Sequence, residues 1–205
     1  AHLVDLSILG EHRDFLVKLG IKSMDFPAYA TQILPTTLSD DVLSNEQRRA
    51  AVLLLAKRLG EIKDDLSARA VLVRSPLIEC LDRKFRLPQE CYFDTAAVRE
   101  CLGEDINIAA RPNIQEGAIR DLYDWLGVAT EPRLDDVLSK ISEVAAKPYS
   151  AGSVNTIRTL FLNLGRRITE PHHARLVEPL KRIKWLPARD RSDRWYAPNE
   201  IYAVY

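Results

Sequence analysis

Apolar residues recur at helical spacing along most of this chain and predict a mostly helical protein. The clearest helix is predicted over residues 45 to 59, because Ser44 and Gln47 form a Ser-x-x-Gln capping box immediately before a periodic apolar run. Further helices are predicted over residues 11 to 19, 95 to 102, 118 to 126, 134 to 144 and 154 to 168. Gly20, Gly103 and Gly127 follow three of them, where a left-handed glycine commonly ends a helix.

Short apolar runs around polar turns predict two β-hairpins among these helices. In the first, Val71–Val73 and Leu77–Cys80 lead to a polar tip at Asp82–Lys84, and Phe85–Leu87 returns. Pro88 ends the pairing because it has no backbone N–H. The second hairpin is predicted from residues 183 to 187 and 194 to 196. The fold class is therefore α+β, predominantly helical, with small hairpins.

One sequence motif occurs twice, 110 residues apart. An aromatic residue, a proline, a glutamate and a tyrosine stand at the same spacing in Phe85, Pro88, Glu90 and Tyr92 and in Trp195, Pro198, Glu200 and Tyr202. A helix ending in Leu-Gly-aliphatic precedes each copy. This duplication predicts two tandem repeat units, residues 1 to 110 and 111 to 205, each with a helical layer and a hairpin. Whole-unit repetition is typical of scaffolding proteins.

Composition excludes several classes of protein. Hydrophobic residues make up 46% of the 205 residues, enough for a real core, and Lys plus Arg equals Asp plus Glu at 29 each. No net field draws the chain to nucleic acid or an anionic membrane. No apolar run approaches the length of a membrane span, and three scattered cysteines fit a reducing compartment. We expect a cytoplasmic protein with free thiols, which begins without an initiator methionine as a piece of a longer chain.

Signals for catalysis are weak. The eight glycines form no phosphate-binding loop, so no nucleotide site is predicted. The adjacent His172 and His173 lack the i, i+4 spacing of a helical metal site, and the cysteines form no Cys-x-x-Cys pair. We therefore expect no cofactor and no metal, and a domain that is not an enzyme. An active site assembled from residues distant in sequence is the remaining alternative.

A basic and aromatic segment around the second hairpin is the candidate binding patch. Its cations are Lys181, Arg182, Lys184, Arg189, Arg191 and Arg194, interleaved with Trp185, Trp195 and Tyr196. Cations beside aromatic faces can hold phosphates and stack bases, or can bind an acidic peptide. The competing interpretation is a solvated turn, with Asp190 and Asp193 in the same loop and both tryptophans paired into the core.

The second copy of the motif resembles the repeated segments that follow the ATPase module in sacsin and its plant and bacterial relatives. The resemblance rests on Trp185–Pro187, on the aromatic-Pro-Glu-Tyr motif that begins at Trp195, and on Trp125–Val128 with Pro132. The first copy departs from it, since Leu77–Glu79 replaces Trp-Leu-Pro. In such proteins a nucleotide-binding module of the gyrase, chaperone and histidine-kinase type lies elsewhere in the chain. The resemblance implies a chaperone-like or scaffolding role.

Two functions follow as hypotheses. The first is a non-catalytic domain that binds protein partners or links modules of a large sacsin-like cytosolic ATPase. The second is a nucleic-acid-binding module that uses the hairpin at residues 181 to 196, and no membrane partner is expected.

Overall fold

A computed structural model of the chain describes residues 18–20, 24–39, 43–110, 116–168, 175, 177–188 and 194–202. The described residues form an α+β structure that is predominantly helical, with two small antiparallel strand pairs. Within them, no helix is both long and apolar enough to cross a bilayer. The predicted helix at residues 11 to 19 lies, apart from its last two positions, outside the described residues.

The chain divides into two compact units, neither of which is continuous in sequence. Unit 1 consists of Ala1–Cys91 and Ala109–Val128, and unit 2 consists of Tyr92–Ile108 and Ala129–Tyr205. The predicted boundary between residues 110 and 111 was drawn from the repeated motif, and the tandem repeat of whole units stays a prediction.

Unit 1 is mainly helical. Its elements are α1 (Phe26–Ala28), a π-helical stretch (Tyr29–Ile33), α2 (Leu34–Ser39), α3 (Asn45–Lys57), a 3-10 turn (Leu59–Glu61), α4 (Leu66–Leu72), strands β1 (Ile78–Glu79) and β2 (Phe85–Arg86), a 3-10 turn (Pro88–Glu90) and α6 (Glu116–Leu126). Helix α6 packs against α3. The fully buried side chains of unit 1 include Leu34, Leu38, Leu55, Ile62, Leu72, Leu77, Ile78 and Leu122.

The described part of unit 2 contains one short helix, two longer ones and the second hairpin. Its elements are α5 (Ala96–Leu102), α7 (Leu134–Ala145), α8 (Ala151–Arg167), a 3-10 turn (Glu178–Arg182), strands β3 (Leu186–Pro187) and β4 (Trp195–Tyr196) and a 3-10 turn (Pro198–Glu200). Helix α8 packs against both α7 and α5. Their buried faces, with Tyr92, Ile108, Leu180, Trp185 and Trp195, form one continuous core.

Local sequence signals set the helix ends as predicted. The Ser44 hydroxyl accepts from the Gln47 amide at 3.2 Å, and the Gln47 side chain accepts from the Ser44 amide at 2.9 Å, so the capping box is confirmed. Gly20, Gly103 and Gly127 have φ of 82°, 85° and 91°. Left-handed conformations of this kind favour glycine, which explains why the helices stop there.

One strand prediction is wrong. Residues 71 to 73 do not lead into the first hairpin, because Val71 and Leu72 end helix α4. The Asp65 carboxylate caps that helix by accepting from the Ser67 and Ala68 amides at 2.8 and 3.1 Å. Ala68 and Leu72 lie four residues apart on its fully buried face. Cap and periodicity together outweigh the strand preference of the valines.

The two copies of the motif share one local structure. Ile78 and Glu79 pair with Arg86 and Phe85, and residues 186 and 187 pair with residues 196 and 195 in the same antiparallel register. A 3-10 turn follows each hairpin, at Pro88–Glu90 and at Pro198–Glu200.

Candidate interaction groove and the second hairpin

Unit 2 carries an open apolar groove of about 200 Å³ on its surface, here called the α8 groove. Helix α8 supplies Phe161, Leu164 and Gly165, and Ile168 follows them at the end of the helix. The remaining lining residues come from the second hairpin and its surroundings: Val177, Leu180, Lys181, Trp185 and Pro198. The groove therefore brings together a helix and the motif segment that carries the second copy of the repeat.

Phe161 is the exposed aromatic wall of this groove. Its side chain is 53% exposed, and its ring lies 6.1 Å from the Trp185 ring, which is buried at 5% exposure. Phe161 belongs to the helix predicted over residues 154 to 168, but it does not face the core. Leu160 and Leu164 occupy the core instead, because they lie one turn apart on the face that meets α7 and α5.

Gly165 leaves the groove open. A Cβ added at this position would have no neighbouring atom within 4 Å. Since the residue lies inside a helix, a side chain would also raise the intrinsic helical propensity. A Cβ at Gly165 therefore meets no clash within the described residues, and because Gly165 lines the groove, a larger side chain at this position would occupy groove space.

Lys181 lines the groove, and the exposed Arg182, Lys184 and Arg194 lie within a few residues of lining positions in the sequence; these four cations are here called the rim. Lys181 pairs with Glu178 at 2.6 Å, and Lys184 pairs with Glu200 at 3.3 Å. Arg182 is exposed, and the Arg194 guanidinium lies 4.7 Å from the centre of the Tyr196 ring. The rim is thus basic, although two of its lysines already have carboxylate partners.

Glu200 of the motif fixes the turn beside the groove. Its carboxylate accepts from the Ala197 amide at 2.8 Å, which with the bond from Lys184 holds the pKa of Glu200 below its usual value. The backbone amide of Glu200 donates to the Ala197 carbonyl at 2.9 Å. These bonds hold Pro198 in the 3-10 turn where it lines the groove.

The first copy of the motif uses the same bonds. The Glu90 carboxylate accepts from the Leu87 amide at 3.2 Å, and the Glu90 amide donates to the Leu87 carbonyl at 3.0 Å. Pro88 is buried and Phe85 is half-buried. Glutamate and proline at these spacings are therefore structural residues of the turn in both copies.

The tyrosines of the two copies differ in their environment. Tyr92 is 3% exposed in the core of unit 2, where its hydroxyl donates to Asp136 and accepts from the Arg133 amide at 3.0 Å. The Arg133 guanidinium also lies 4.6 Å from the centre of its ring. Tyr202, at the matching position of the second copy, is 92% exposed. The same motif position is thus buried once and exposed once.

The predicted basic and aromatic patch is only partly a surface. Trp195 and Trp185 are 8% and 5% exposed, and their indole N–H groups donate to the carbonyls of Lys147 and Leu180 at 3.2 and 3.0 Å. Their ring neighbours are Tyr149 and Phe161 rather than each other. Arg189 and Arg191 lie outside the described residues.

No group of three or more His, Cys, Asp or Glu in the described ranges is arranged to hold a metal ion. His172 and His173 fall outside those ranges. The Asp65 carboxylate has a structural role, since it caps the start of α4.

Sequence reasoning did not find the groove. Phe161, Gly165 and Val177 were absent from the predicted patch, although the hairpin residues beside them were included. The adjacent Phe161 and Leu162 were a signal of an exposed apolar surface, because two successive side chains of a helix cannot both face the core. In the structure both residues are 53% exposed.

Comparison with known proteins assigns no family. No protein-family model, curated protein or solved structure matches this chain. The resemblance to sacsin-like repeats therefore stays a prediction, and the functional argument rests on the geometry described above.

Proposed function

We propose that this chain is a non-catalytic protein-interaction domain whose α8 groove binds an apolar segment of a partner protein, flanked by acidic residues. The observation that carries the proposal is an open apolar groove with an exposed aromatic wall and a basic rim. Aromatic side chains are enriched among the residues that dominate binding energy at protein interfaces. Following the sequence resemblance, we propose that the partner is another module or client of a large sacsin-like cytosolic ATPase.

The size of the groove favours side chains of a peptide over a small-molecule ligand. At about 200 Å³ it is smaller than the roughly 300 to 1,000 Å³ of typical ligand pockets. Its lining is apolar, with Lys181 as the charged member. One or two apolar anchor residues fit this surface, and acidic neighbours would complement Lys181, Arg182 and Lys184 on the rim.

Tyr202 supports a role in linking modules. In the first copy of the motif the tyrosine is Tyr92, which follows the last residue of a unit 1 segment in the chain and is buried in the core of unit 2. The matching Tyr202 is 92% exposed, so its ring is accessible to another surface. We propose that Tyr202 is a second contact point, buried when the next module or a partner is bound.

Selection of peptides from a random display library tests the groove. Enriched peptides are expected to carry a leucine or aromatic anchor beside Asp or Glu. Phe161→Ser and Gly165→Trp should each weaken binding of the selected peptides by about tenfold or more, because the first removes the aromatic wall and the second fills the groove. Isothermal titration calorimetry of synthetic peptides measures the change.

Leu162→Ser is the matched control for this experiment. Leu162 has the same 53% exposure as Phe161 and is its chain neighbour, but it does not line the groove. Its variant should bind the selected peptides as the wild type does. Equal affinity of all variants, or a library without enrichment, would contradict the proposed function.

Nucleic-acid binding by the second hairpin is the alternative, favoured by the exposed Arg182, Lys184 and Arg194. The buried rings of Trp185 and Trp195 argue against it, since they have no free face for bases to stack on. Any binding would then be made to phosphates through cations.

Fluorescence anisotropy with labelled single- and double-stranded DNA and RNA separates the two functions. We expect no micromolar binding even at low salt. Micromolar binding with a steep salt dependence, abolished by the triple change Arg189→Ala, Arg191→Ala and Arg194→Ala, would replace the protein-interaction proposal with the nucleic-acid one.

A further inference from the structure

Two of the three cysteines lie together beneath the first hairpin. The sulfur atoms of Cys80 and Cys91 are 3.5 Å apart, and the residues are 1% and 0% exposed. Cys80 directly follows strand β1, and Cys91 directly follows the 3-10 turn. A disulfide bond is about 2 Å long, so modest side-chain adjustment would bring the sulfurs to bonding distance.

The fold of the hairpin does not require this sulfur pair. The second hairpin has the same register and the same following turn, and its matching positions hold Ala188 and Ile201. The second hairpin therefore forms with an alanine and an isoleucine at the two positions that hold cysteines in the first. The close pair of thiols in the first hairpin calls for a chemical explanation.

The charges around the pair make its two members unequal. The Arg86 guanidinium is held by two bonds of 2.7 Å to the Asp82 carboxylate and lies beside the Cys80 sulfur. A hydrogen bond from the Cys91 thiol, with Arg86 assisting, lowers the pKa of Cys80 although burial opposes it. Donating that bond, together with burial, raises the pKa of Cys91. Cys80 is therefore the more nucleophilic sulfur.

We propose that Cys80 and Cys91 are a redox modification site. Their two sulfurs form a reversible disulfide with each other, and a peroxide is the oxidant. The Cys80 thiolate attacks one peroxide oxygen, the O–O bond breaks, and Cys80 becomes a sulfenic acid. The Cys91 sulfur then attacks the Cys80 sulfur and the S–O bond breaks. The two hydroxides released take the two thiol protons and leave as water. The thiols lose two electrons, which reduce the peroxide, and an external dithiol reverses the reaction by exchange.

The hairpin turn is the exposed segment next to the pair. Residues 81 to 84 between Cys80 and strand β2 are exposed, and Leu81 is 55% exposed. Exposed turns open at lower free energy than core segments, so we expect peroxide to reach the sulfurs by local opening of this turn, without unfolding of unit 1. Cys101 lies in unit 2, and burial raises the pKa of its thiol. It serves as the unpaired comparison within the same chain.

Peroxide treatment of the folded chain tests the proposal. After alkylation of the remaining thiols, the intact mass should show one free thiol and the loss of two hydrogens, and peptide mapping should link Cys80 to Cys91. Dithiothreitol should restore three free thiols. A Cys91→Ile variant should accumulate a sulfenic acid at Cys80 that dimedone traps.

Two variants are the controls. Cys101→Ala should form the bond at the wild-type rate, and the double change Cys80→Ala with Cys91→Ile, which copies the second hairpin, should fold and form no disulfide, leaving only the slower oxidation of Cys101 and Met24. The proposal is overturned if the Cys80–Cys91 bond forms only in denaturant, or if all three thiols of the native chain react at equal rates. Mapping of the wild-type chain decides the question even if a variant fails to fold.

Discussion

Replacing Trp195 by alanine is expected to lower the free energy of unfolding of unit 2 by about 3 to 5 kcal/mol. The ring is 8% exposed, it lies 4.9 Å from the Tyr149 ring, and its N–H donates to the Lys147 carbonyl. Truncation removes a large apolar surface from the core, leaves a cavity and deprives that carbonyl of its donor. Urea unfolding followed by circular dichroism measures the change.

Tyr202→Ala is the control for Trp195→Ala, because both residues belong to the second copy of the motif and Tyr202 is 92% exposed. Its effect on stability should stay within about 0.5 kcal/mol. A free energy of unfolding for Trp195→Ala close to that of the wild type would show that the ring contributes little to the core. Trp195 would then again be a candidate binding residue.

Replacing Leu122 by alanine is expected to cost unit 1 about 2 to 5 kcal/mol. Leu122 is 0% exposed on helix α6, which packs against α3. The loss comes from the buried methyl groups and from the cavity that remains, since close-packed helices collapse only partly around it. Urea unfolding followed by circular dichroism measures the change.

Leu66→Ala is the matched control, since it makes the same chemical change at a leucine that is 80% exposed at the start of α4. It should change stability by no more than about 0.5 kcal/mol. Equal losses from Leu66→Ala and Leu122→Ala would contradict the placement of Leu122 in the core.

Sequence prediction succeeded where a structure depends on neighbouring residues. The capping box of Ser44 and Gln47 was predictable because both partners lie within one turn. The left-handed glycines were predictable because the requirement is a property of one residue's backbone. Prediction failed at residues 71 to 73, where two valines and a leucine form the end and C-cap of a helix whose N-terminal cap and buried face decide its conformation.

The candidate site was predictable only in part. The hairpin that borders the groove was predictable from its motif. The groove also requires Phe161 and Gly165, which belong to a helix about thirty residues before the hairpin in the sequence. The tryptophans that suggested a binding surface are core residues, because strand β4 and the segment before β3 face the helices of unit 2.

The sequence by itself determined the α+β class, most of the helix ends and the two matching hairpins, because these follow from periodicity, caps and turns over a few residues. Only the tertiary structure decided which of two equivalent tyrosines is buried, where the α8 groove opens, and that Cys80 and Cys91 meet. These outcomes depend on how distant segments pack, and a pattern of neighbouring residues contains no record of such packing.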